Sequence, residues 1–391
     1  MLRNKINALG CLALLGIITL SGCNYFTGGS DNSEPPMKLT SITAENSFKQ
    51  LWKVNVGKGD DGKYLKLKPL LVDEKIFTVD SNGWLQARNS NDSSLIWQKK
   101  LNHKITQGVA GDKNKLFITT SIGEVLSLNA LDGAELWRKN LSKNILNNPG
   151  LHSDALYVQA TDGTLYSLNA TTGKLNWEYK VLIPDLTLYS TSSPLVWKDT
   201  VLAGFSSGKI VAFDNKSGLP KWDHQITDAI GHSSLQRMID VSADPIVVDN
   251  TLYAVSYQGK IIALDLANGR KIWERELSAI SNITTHQSSL FVSDTDGTVW
   301  ALNRSNGDIL WKQDKLHMRQ LSGTSYMDNT IIVGDYEGYL HGLSEKHGEF
   351  TARTKLSSGS IRVAPLIKHD IIYILDNKGN LAAYQLNKST T

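Results

Sequence analysis

The sequence predicts an all-β fold, an eight-bladed β-propeller made of four-stranded antiparallel blades. Three observations indicate this fold class. A Pro–Gly–Trp pattern, with a spacing of fourteen residues between landmarks, recurs along the 391-residue chain. Each copy contains short runs of β-branched and aromatic residues separated by turn residues. Successive landmark glycines lie 38–51 residues apart, which is about the length of one propeller blade.

The pattern is clearest in the copy that runs from Pro149 through Gly163 to Trp177. Its runs LYVQA and TLYSLN suit a pleated surface, and the Asp-Gly pair between them supplies the positive φ of a tight hairpin. The large, flat Trp is predicted to act as a wedge between neighbouring blades. The landmarks of the other copies are Pro69, Gly83 and Trp97; Val109, Gly123 and Trp137; Pro194, Gly208 and Trp222; Pro245, Gly259 and Trp273; Ile283, Gly297 and Trp311; Thr324, Gly338 and Ala352; and Pro365 with Gly379.

The eighth copy ends before its Trp strand, whereas the segment QLWKVNV at residues 50–56 carries Trp52 outside the series. This N-terminal strand is predicted to complete the last blade and so to close the ring, which removes an open edge. The alternative is a disordered arm with a stray Trp.

The first 22 residues are predicted to be a lipoprotein signal peptide. Arg3 and Lys5 form a basic region before an apolar stretch that is too short to span a bilayer. The stretch ends in Leu-Ser-Gly-Cys, which resembles the bacterial lipobox, so Cys23 would become the acylated first mature residue. An ordinary secretory signal with a chance Cys is the alternative. Residues 23–49 are then the acylated Cys and a flexible tether, and residues 50–388 are the propeller.

Composition excludes several classes of function. The 41 basic and 38 acidic side chains are nearly balanced, so nothing indicates a nucleic-acid partner. The only cysteine besides Cys23 is Cys11, which lies within the predicted signal peptide. The mature chain is therefore expected to have no disulfide and no cysteine metal site.

Nothing in the sequence assembles a catalytic or metal site. The nine histidines are scattered; His224 and His232 share the longest connector, where solvated loop histidines are the ordinary case. The Asp-Gly pairs at 162–163 and 296–297 lack the succession of acidic ligands that a calcium loop requires. We therefore expect no enzyme activity, no cofactor and no metal.

Two consecutive connectors between blades are longer than the rest. They are residues 178–193 and 223–244, which follow the third and fourth copies. Insertions gathered on one face of a repeat scaffold usually mark the binding face. Leu186 and Leu188 alternate with polar residues in the first of these connectors, which favours a partner-binding edge or patch. The alternative is that these leucines fold back onto the propeller.

The repeats LNATTGKLNW and LDLANGRKIW resemble the Trp-docking repeat of quinoprotein dehydrogenase propellers. Eight such repeats behind a lipobox resemble, over essentially the whole chain, the BamB family, the lipoprotein propeller subunits of the outer-membrane β-barrel assembly machinery. The connector segments DLTLYSTSSP and RMIDVSADP, together with GDYEGYLHGL, are similar to recurrent stretches of that family. By resemblance to lipoprotein sorting, Asn24 after the acylated Cys favours the outer membrane.

This resemblance implies a non-catalytic scaffold that assists the insertion of outer-membrane proteins and is anchored in the outer membrane, facing the periplasm of a Gram-negative bacterium. Its implied partners are the POTRA domains of the central barrel subunit BamA and the other Bam lipoproteins. The positions that the two connector segments carry over are Leu186, Leu188, Tyr189, Arg237, Asp240 and Ser242. Tyr189 and Ser242 stand where the family often has Arg and Asp. The alternatives are a quinone-dependent (PQQ-type) or other small-molecule enzyme and a scaffold for another envelope complex.

Overall fold

A computed structural model describes residues 34–145, 147–188 and 192–388. All the regular secondary structure of these residues is β-strand, and the strands form eight four-stranded antiparallel sheets. No helix of the described part of the chain is long and apolar enough to cross a membrane. The predicted eight-bladed β-propeller is confirmed.

The first strand in the chain, β1 (Asn46–Asn55), belongs to the last blade, and each other blade is continuous in sequence. Blade 1 contains β2 (Leu70–Val72), β3 (Lys75–Val79), β4 (Trp84–Asn89) and β5 (Leu95–Lys100); blade 2 contains β6 (Ala110–Gly111), β7 (Lys115–Thr119), β8 (Glu124–Asn129) and β9 (Glu135–Asn140); blade 3 contains β10 (Gly150–His152), β11 (Ala155–Gln159), β12 (Thr164–Asn169) and β13 (Leu175–Lys180); blade 4 contains β14 (Leu195–Trp197), β15 (Thr200–Gly204), β16 (Lys209–Asp214) and β17 (Pro220–Gln225); blade 5 contains β18 (Ile246–Val248), β19 (Thr251–Val255), β20 (Lys260–Asp265) and β21 (Lys271–Glu276); blade 6 contains β22 (Thr284–His286), β23 (Ser289–Ser293), β24 (Val299–Asn303) and β25 (Ile309–Gln313); blade 7 contains β26 (Ser325–Met327), β27 (Thr330–Gly334), β28 (Tyr339–Ser344) and β29 (Phe350–Lys355); blade 8 contains β30 (Leu366–Lys368), β31 (Ile371–Leu375), β32 (Asn380–Lys388) and β1.

Burial divides each blade into a core and an outer edge. The second and third strands are buried on both faces because each blade is packed between two neighbours, so β11 and β12 are buried along almost their whole length. The outermost strand alternates between half-buried and exposed residues, as in β13, because only one of its faces meets the next blade. This one-sided packing accounts for the alternation of half-buried and exposed residues in the last strand of each repeat.

The landmark glycines occupy hairpin turns that no other residue fits easily. Gly163 has φ +82°, and a Cβ there would lie 2.2 Å from the carbonyl oxygen of Val181. Both the left-handed backbone and the close approach of the following connector require Gly.

Each landmark Trp joins its blade to the next one. The indole N–H of Trp137 donates to the carbonyl oxygen of Ala170 in blade 3 at 3.0 Å, and its ring lies against Gly173, where a Cβ would approach it to 2.7 Å. Phe117 of the same blade packs against the indole, with ring centroids 5.9 Å apart. The equivalent indole donors and carbonyl acceptors are Trp52 and Ser90, Trp97 and Ala130, Trp177 and Asn215, Trp222 and Leu266, Trp273 and Arg304, and Trp311 and Glu345.

The ring closes through β1, as the sequence predicts. β1 pairs antiparallel with β32, so Trp52 takes the docking position of blade 8 and donates to a carbonyl of blade 1. The strand is longer than predicted, beginning at Asn46 instead of residue 50. Pairing with the extended β32 accounts for the extra residues, because Asn46 lies opposite Lys388.

Blade 7 carries Ala352 where the other blades carry a docking Trp. Phe48 of β1 packs into the core cluster that contains Ala352, and its ring lies close to Gly342 of β28. The aromatic ring at this interface is therefore supplied by the closing strand of blade 8.

Residues 37–45, here called the N-terminal strap, lie along blade 7 before the chain enters β1. The amide of Met37 donates to the carbonyl of His317, and the amide of Glu45 donates to that of Thr351, both at 3.0 Å. Leu39 packs against the core between blades 6 and 7. The part of the predicted flexible tether that follows residue 36 is thus bound to the propeller.

Two arginines fix this strap. Arg319 and Arg353 donate to strap carbonyl oxygens at 3.0 and 2.6 Å. Arg319 also pairs with the buried carboxylate of Asp335 at 2.8 Å, and Asp335 is 3.0 Å from Nε2 of His341. Because burial lowers the pKa of His341, its neutral ring donates from Nε2 to Asp335 and accepts from Arg353 at Nδ1.

Removing β1 should destabilise the whole ring. A chain that begins at Gly57 loses Trp52 and Phe48 and exposes the edge of β32, and the loss of one packed aromatic costs on the order of 3–5 kcal/mol. We expect a clearly lower Tm by calorimetry than for a matched chain that begins at Pro36, which keeps the strap and β1. Equal melting temperatures would contradict closure by β1.

Candidate functional site

The loops that join one blade to the next lie on the same face as the turns between second and third strands, because strand direction alternates within each blade. We call this the connector face. Its described inter-blade loops are within residues 56–69, 101–109, 141–149, 181–194, 226–245, 277–283, 314–324 and 356–365.

The two long connectors are hydrogen-bonded to each other on this face. The amide of Leu188 donates to Oδ1 of Asp240 at 3.1 Å, and that of Ser193 donates to Oδ1 of Asp244 at 2.7 Å. The amide of Ser192 donates to the carbonyl of Val241 at 3.1 Å. The structure therefore brings the two predicted segments together as one surface.

Leu186 and Leu188 line different depressions. Leu186 is 40% exposed and borders a cleft of about 260 Å³ that it shares with Ile183 and Arg237. Leu188 is half-buried and lines a wider depression of about 540 Å³ near the propeller axis, together with Tyr64. Residues two apart would face the same side of a regular extended segment, but the chain bends at residues 185–186, so Leu186 and Leu188 do not follow that alternation. The two leucines are not equivalent parts of one patch.

Arg237 is exposed at the rim of the Leu186 cleft, as a partner-contacting residue should be. Three further aliphatic residues of the two connectors, none of them among the predicted partner-binding residues, are even more exposed than Leu186. These are Leu182, Ile230 and Leu235, at 89%, 80% and 63%. Their signal in the sequence was an aliphatic residue within one of the two longest connectors between blades.

Asp240 and Ser242 lie beneath this surface. Asp240 is 0% exposed, and burial raises the pKa of its carboxyl group, although hydrogen bonds from Ser206 and from the amide of Leu188 oppose the shift. Among the described residues, its Oδ2 has no hydrogen-bond partner. Ser242 is buried as well. Both residues are placed to support the connectors from below, and Tyr189 lies outside the described residues.

The propeller axis is closed on the connector face. Lys66, from the loop that follows β1, reaches across the axis and donates from Nζ to the carbonyl of Ile280 at 2.7 Å. Burial lowers the pKa of Lys66, and the nearby Asp244 partly offsets that shift. The cavity left at the axis measures about 60 Å³, whereas pockets for organic ligands measure roughly 300–1,000 Å³. The cavity at the axis itself is thus smaller than a typical ligand pocket.

No metal centre is formed by the described residues, among which no three His, Cys, Asp or Glu side chains are grouped to hold an ion. The Asp-Gly pairs at 162–163 and 296–297 lie in hairpin turns. In the first turn Oδ1 of Asp162 accepts the amide of Thr164, and in the second Oδ1 of Asp294 accepts the amides of Asp296 and Thr298. The carboxylates at these turns therefore order the backbone.

Comparison with known proteins identifies close relatives along the whole chain. A family described as "Outer membrane protein assembly factor BamB" matches residues 81–313. The protein of that name from Pseudomonas aeruginosa is 41% identical over 386 residues, which cover 99% of this chain and 100% of the relative. The one from Legionella pneumophila is 40% identical over 374 residues, covering 95% and 97%.

Solved structures agree in fold. The crystal structure of BamB from Moraxella catarrhalis superposes with a TM-score of 0.80 at 27% identity, covering 86% of this chain and 99% of that one. Quinohemoprotein alcohol dehydrogenase from Comamonas testosteroni has a TM-score of 0.70 at 13% identity, covering 86% and 76%. The second likeness shows a shared propeller fold and nothing about activity.

The Asp240→Ala variant should release the first connector from the second. The amide of Leu188 loses its acceptor, a contact worth about 1–3 kcal/mol when one partner is buried. We expect its hydrogen exchange to accelerate about tenfold or more by mass spectrometry or NMR. Asp240→Asn keeps an acceptor oxygen and should retain protection; equal exchange in all three proteins would contradict a positioning role.

The same Asp240→Asn variant should show how much ionisation of the buried carboxyl group lowers the free energy of unfolding. The carboxyl pKa is raised above its usual value of 3.8, so ionisation of Asp240 destabilises the folded state as the pH rises from that value through the raised pKa. Denaturant melts should show Asp240→Asn gaining stability relative to the unaltered protein across that interval. A constant difference at every pH would indicate that the carboxyl pKa is not raised.

Proposed function

The chain belongs to the BamB family of outer membrane protein assembly factors, and from this membership we propose that it is a scaffold of the machinery that inserts β-barrel proteins into the outer membrane. Its central partner is the barrel subunit BamA, bound through periplasmic POTRA domains, within a complex that contains further Bam lipoproteins. The observation that carries the proposal is the joined pair of long connectors, which holds exposed apolar residues in fixed positions on one face.

A preordered surface of this kind favours protein binding. Exposed aliphatic side chains contribute most when they are already held in place, because little conformational entropy is then lost on association. Three backbone amides of the first connector are bonded to the second, in the stretch that follows the exposed Leu186. Leu186 can therefore fill a pocket on a partner without a large rearrangement of its loop.

The hydrogen bonds also distinguish two modes of binding. An extended loop can add to the edge of a partner sheet or can insert side chains into pockets. The amide of Leu188 is already bonded to Asp240 and is not free to join a partner strand at that residue. We therefore favour side-chain anchoring at Leu186, with Arg237 as the polar group at the rim.

Asp240 and Ser242 contribute to the interface indirectly. Both side chains are buried, so they support the loop that carries Leu186, Leu188 and Tyr189 instead of meeting the partner. Substitution of either buried residue would alter the loop and so weaken partner binding, although neither side chain contacts the partner.

The protein acts without catalysis in this proposal. The axis on this face is occupied by Lys66 and its contact with Ile280, and the cavity that remains at the axis is smaller than a typical pocket for an organic ligand. Together with the grouping of exposed apolar residues on the connectors, this favours a scaffold over a quinone-dependent enzyme.

The protein is associated with the outer membrane of a Gram-negative cell, and we propose that acylation of Cys23 attaches it to the periplasmic side. Three acyl chains exceed the two signals that stable anchoring requires. The strap from Met37 to Glu45 would then join the anchored end to blade 7 through Arg319 and Arg353.

Leu186→Ala should weaken capture of purified POTRA domains by the mature protein. A central apolar anchor contributes about 2 kcal/mol, so we expect Kd to rise roughly thirtyfold by calorimetry with an unchanged Tm. Leu188→Ala should have a smaller effect, since that side chain lines the other depression.

The matched control is Leu219→Ala, which truncates an exposed leucine in a turn on the opposite face of blade 4. Equal Kd values for Leu186→Ala and the control would place the interface elsewhere. If the unaltered protein does not bind POTRA domains, a scaffold for another envelope complex would be favoured instead.

Cys23→Ser should abolish acylation and leave an unprocessed or mislocalised chain, because serine offers no thiol for the lipid. Labelled palmitate should enter the unaltered protein and be absent from the variant, and membrane fractions should lose the variant. Asn24→Gln leaves the thiol in place and is the matched control. Incorporation of label into Cys23→Ser would exclude anchoring at this residue.

A further inference from the structure

A second cleft on the connector face lies away from the two long connectors, where blade 8 meets blade 1. It measures about 740 Å³, within the range of roughly 300–1,000 Å³ typical of pockets for small ligands. Its walls come from the end of β1, from the turn between β3 and β4, and from the connector that follows β5. We call it the Trp84 cleft; the lining residues used below are Lys58, Asn82, Trp84, Lys100, Asn102 and Lys104.

Trp84 has no role in the docking series that joins the blades. It follows the landmark Gly83, and the equivalent positions of the other blades are mainly small polar or charged residues: Glu124, Thr164, Lys209, Lys260, Thr298, Tyr339 and Asn380. Trp84 is nevertheless 40% exposed inside a concave site. The repeat fold does not require an indole at this position, so a ligand-binding role explains it better.

Three lysines line this cleft, and among the described residues no ion pair joins any of them to a carboxylate. Lys100 lies over the Trp84 ring, 5.0 Å from its centroid, and donates to the carbonyl of Asn82 at 2.7 Å. Lys104 donates to Oδ1 of the same Asn82 at 2.5 Å. Lys58 lines the same cleft. Like charges held beside one neutral residue repel each other, and an anion would relieve that repulsion.

The acidic residues of the cleft are already engaged. Asp80 is buried, and its two carboxylate oxygens accept the amides of Asn82, Trp84 and Lys58. Asp61 pairs with Lys63 at 3.9 Å. The amines are therefore not neutralised by ion pairs with these two carboxylates.

We propose that the Trp84 cleft binds an acidic saccharide, with a sugar ring packed on the indole and its carboxylate or phosphate held by Lys100, Lys104 and Lys58. Apolar C–H faces of sugars pack on aromatic rings, while their hydroxyl groups need amide partners such as Asn82 and Asn102. Lysine is a suitable point charge for either anion.

Other ligands match the cleft less well. A bilayer surface would favour protruding aromatic and basic residues, whereas Trp84 lies in a recess. An acidic peptide would use the lysines but leaves the flat indole without a ring to cover it. The proposal rests on the envelope location given under the proposed function, which brings both carboxylate-bearing wall glycans and phosphate-bearing lipopolysaccharide sugars within reach.

The test is calorimetric titration of the mature protein with two probes, a soluble muropeptide and a phosphorylated lipopolysaccharide core oligosaccharide. At least one probe should bind, and the stronger of the two identifies the source of the ligand. Lys100→Gln with Lys104→Gln should weaken that binding tenfold or more, and Trp84→Ala should weaken it similarly at an unchanged Tm.

Lys312→Gln is the matched control, because Lys312 also lies over the indole of its cross-strand partner, 5.8 Å from the Trp300 centroid. Trp300 is half-buried, and its N–H is already bonded to Asp294. This variant should leave binding unchanged. Failure of both probes to bind, equal binding of inorganic phosphate or of a tetraglutamate peptide, or insensitivity to Trp84→Ala would each overturn the proposal. POTRA binding, measured on the same variants, should remain intact and so separates this site from the proposed function.

Discussion

The structure depends on one repeated contact, the docking of an outer-strand Trp onto the next blade. The indole N–H is bonded to a turn carbonyl, and the ring is packed against a Gly whose missing Cβ leaves the necessary space. A single blade cannot bury both of its faces, so this contact gives each pair of neighbouring blades a shared hydrophobic core. The fixed spacing between Gly and Trp in each repeat follows from it.

The pattern of Trp docking changes where the ring closes. Trp52 of β1 continues the docking series from blade 8 to blade 1, but the interface between blades 7 and 8 uses Phe48 above Ala352. The strap and its two arginines lie beside that exceptional interface. The blade without a docking Trp is thus the blade that receives the additional N-terminal residues.

A rigid ring allows the connectors to vary without loss of the fold. One connector crosses the axis and closes it with Lys66, and two others are bonded to each other through Asp240 and Asp244. A third region, around Trp84, leaves a basic cleft open. The same face therefore offers separate surfaces, because each of these connectors makes its own set of contacts.

The sequence determined the number of blades, the position of each Trp and closure through Trp52, because repeat spacing and side-chain period are local properties of the chain. It also located the connector face and the segments around Leu186 and Arg237. Only the tertiary structure separated Leu186 from Leu188, buried Asp240, and placed Lys66 across the axis beside Ile280. Those outcomes depend on contacts between residues that are far apart in sequence. The closed ring brings the connectors together, and their burial and hydrogen bonds follow from that arrangement.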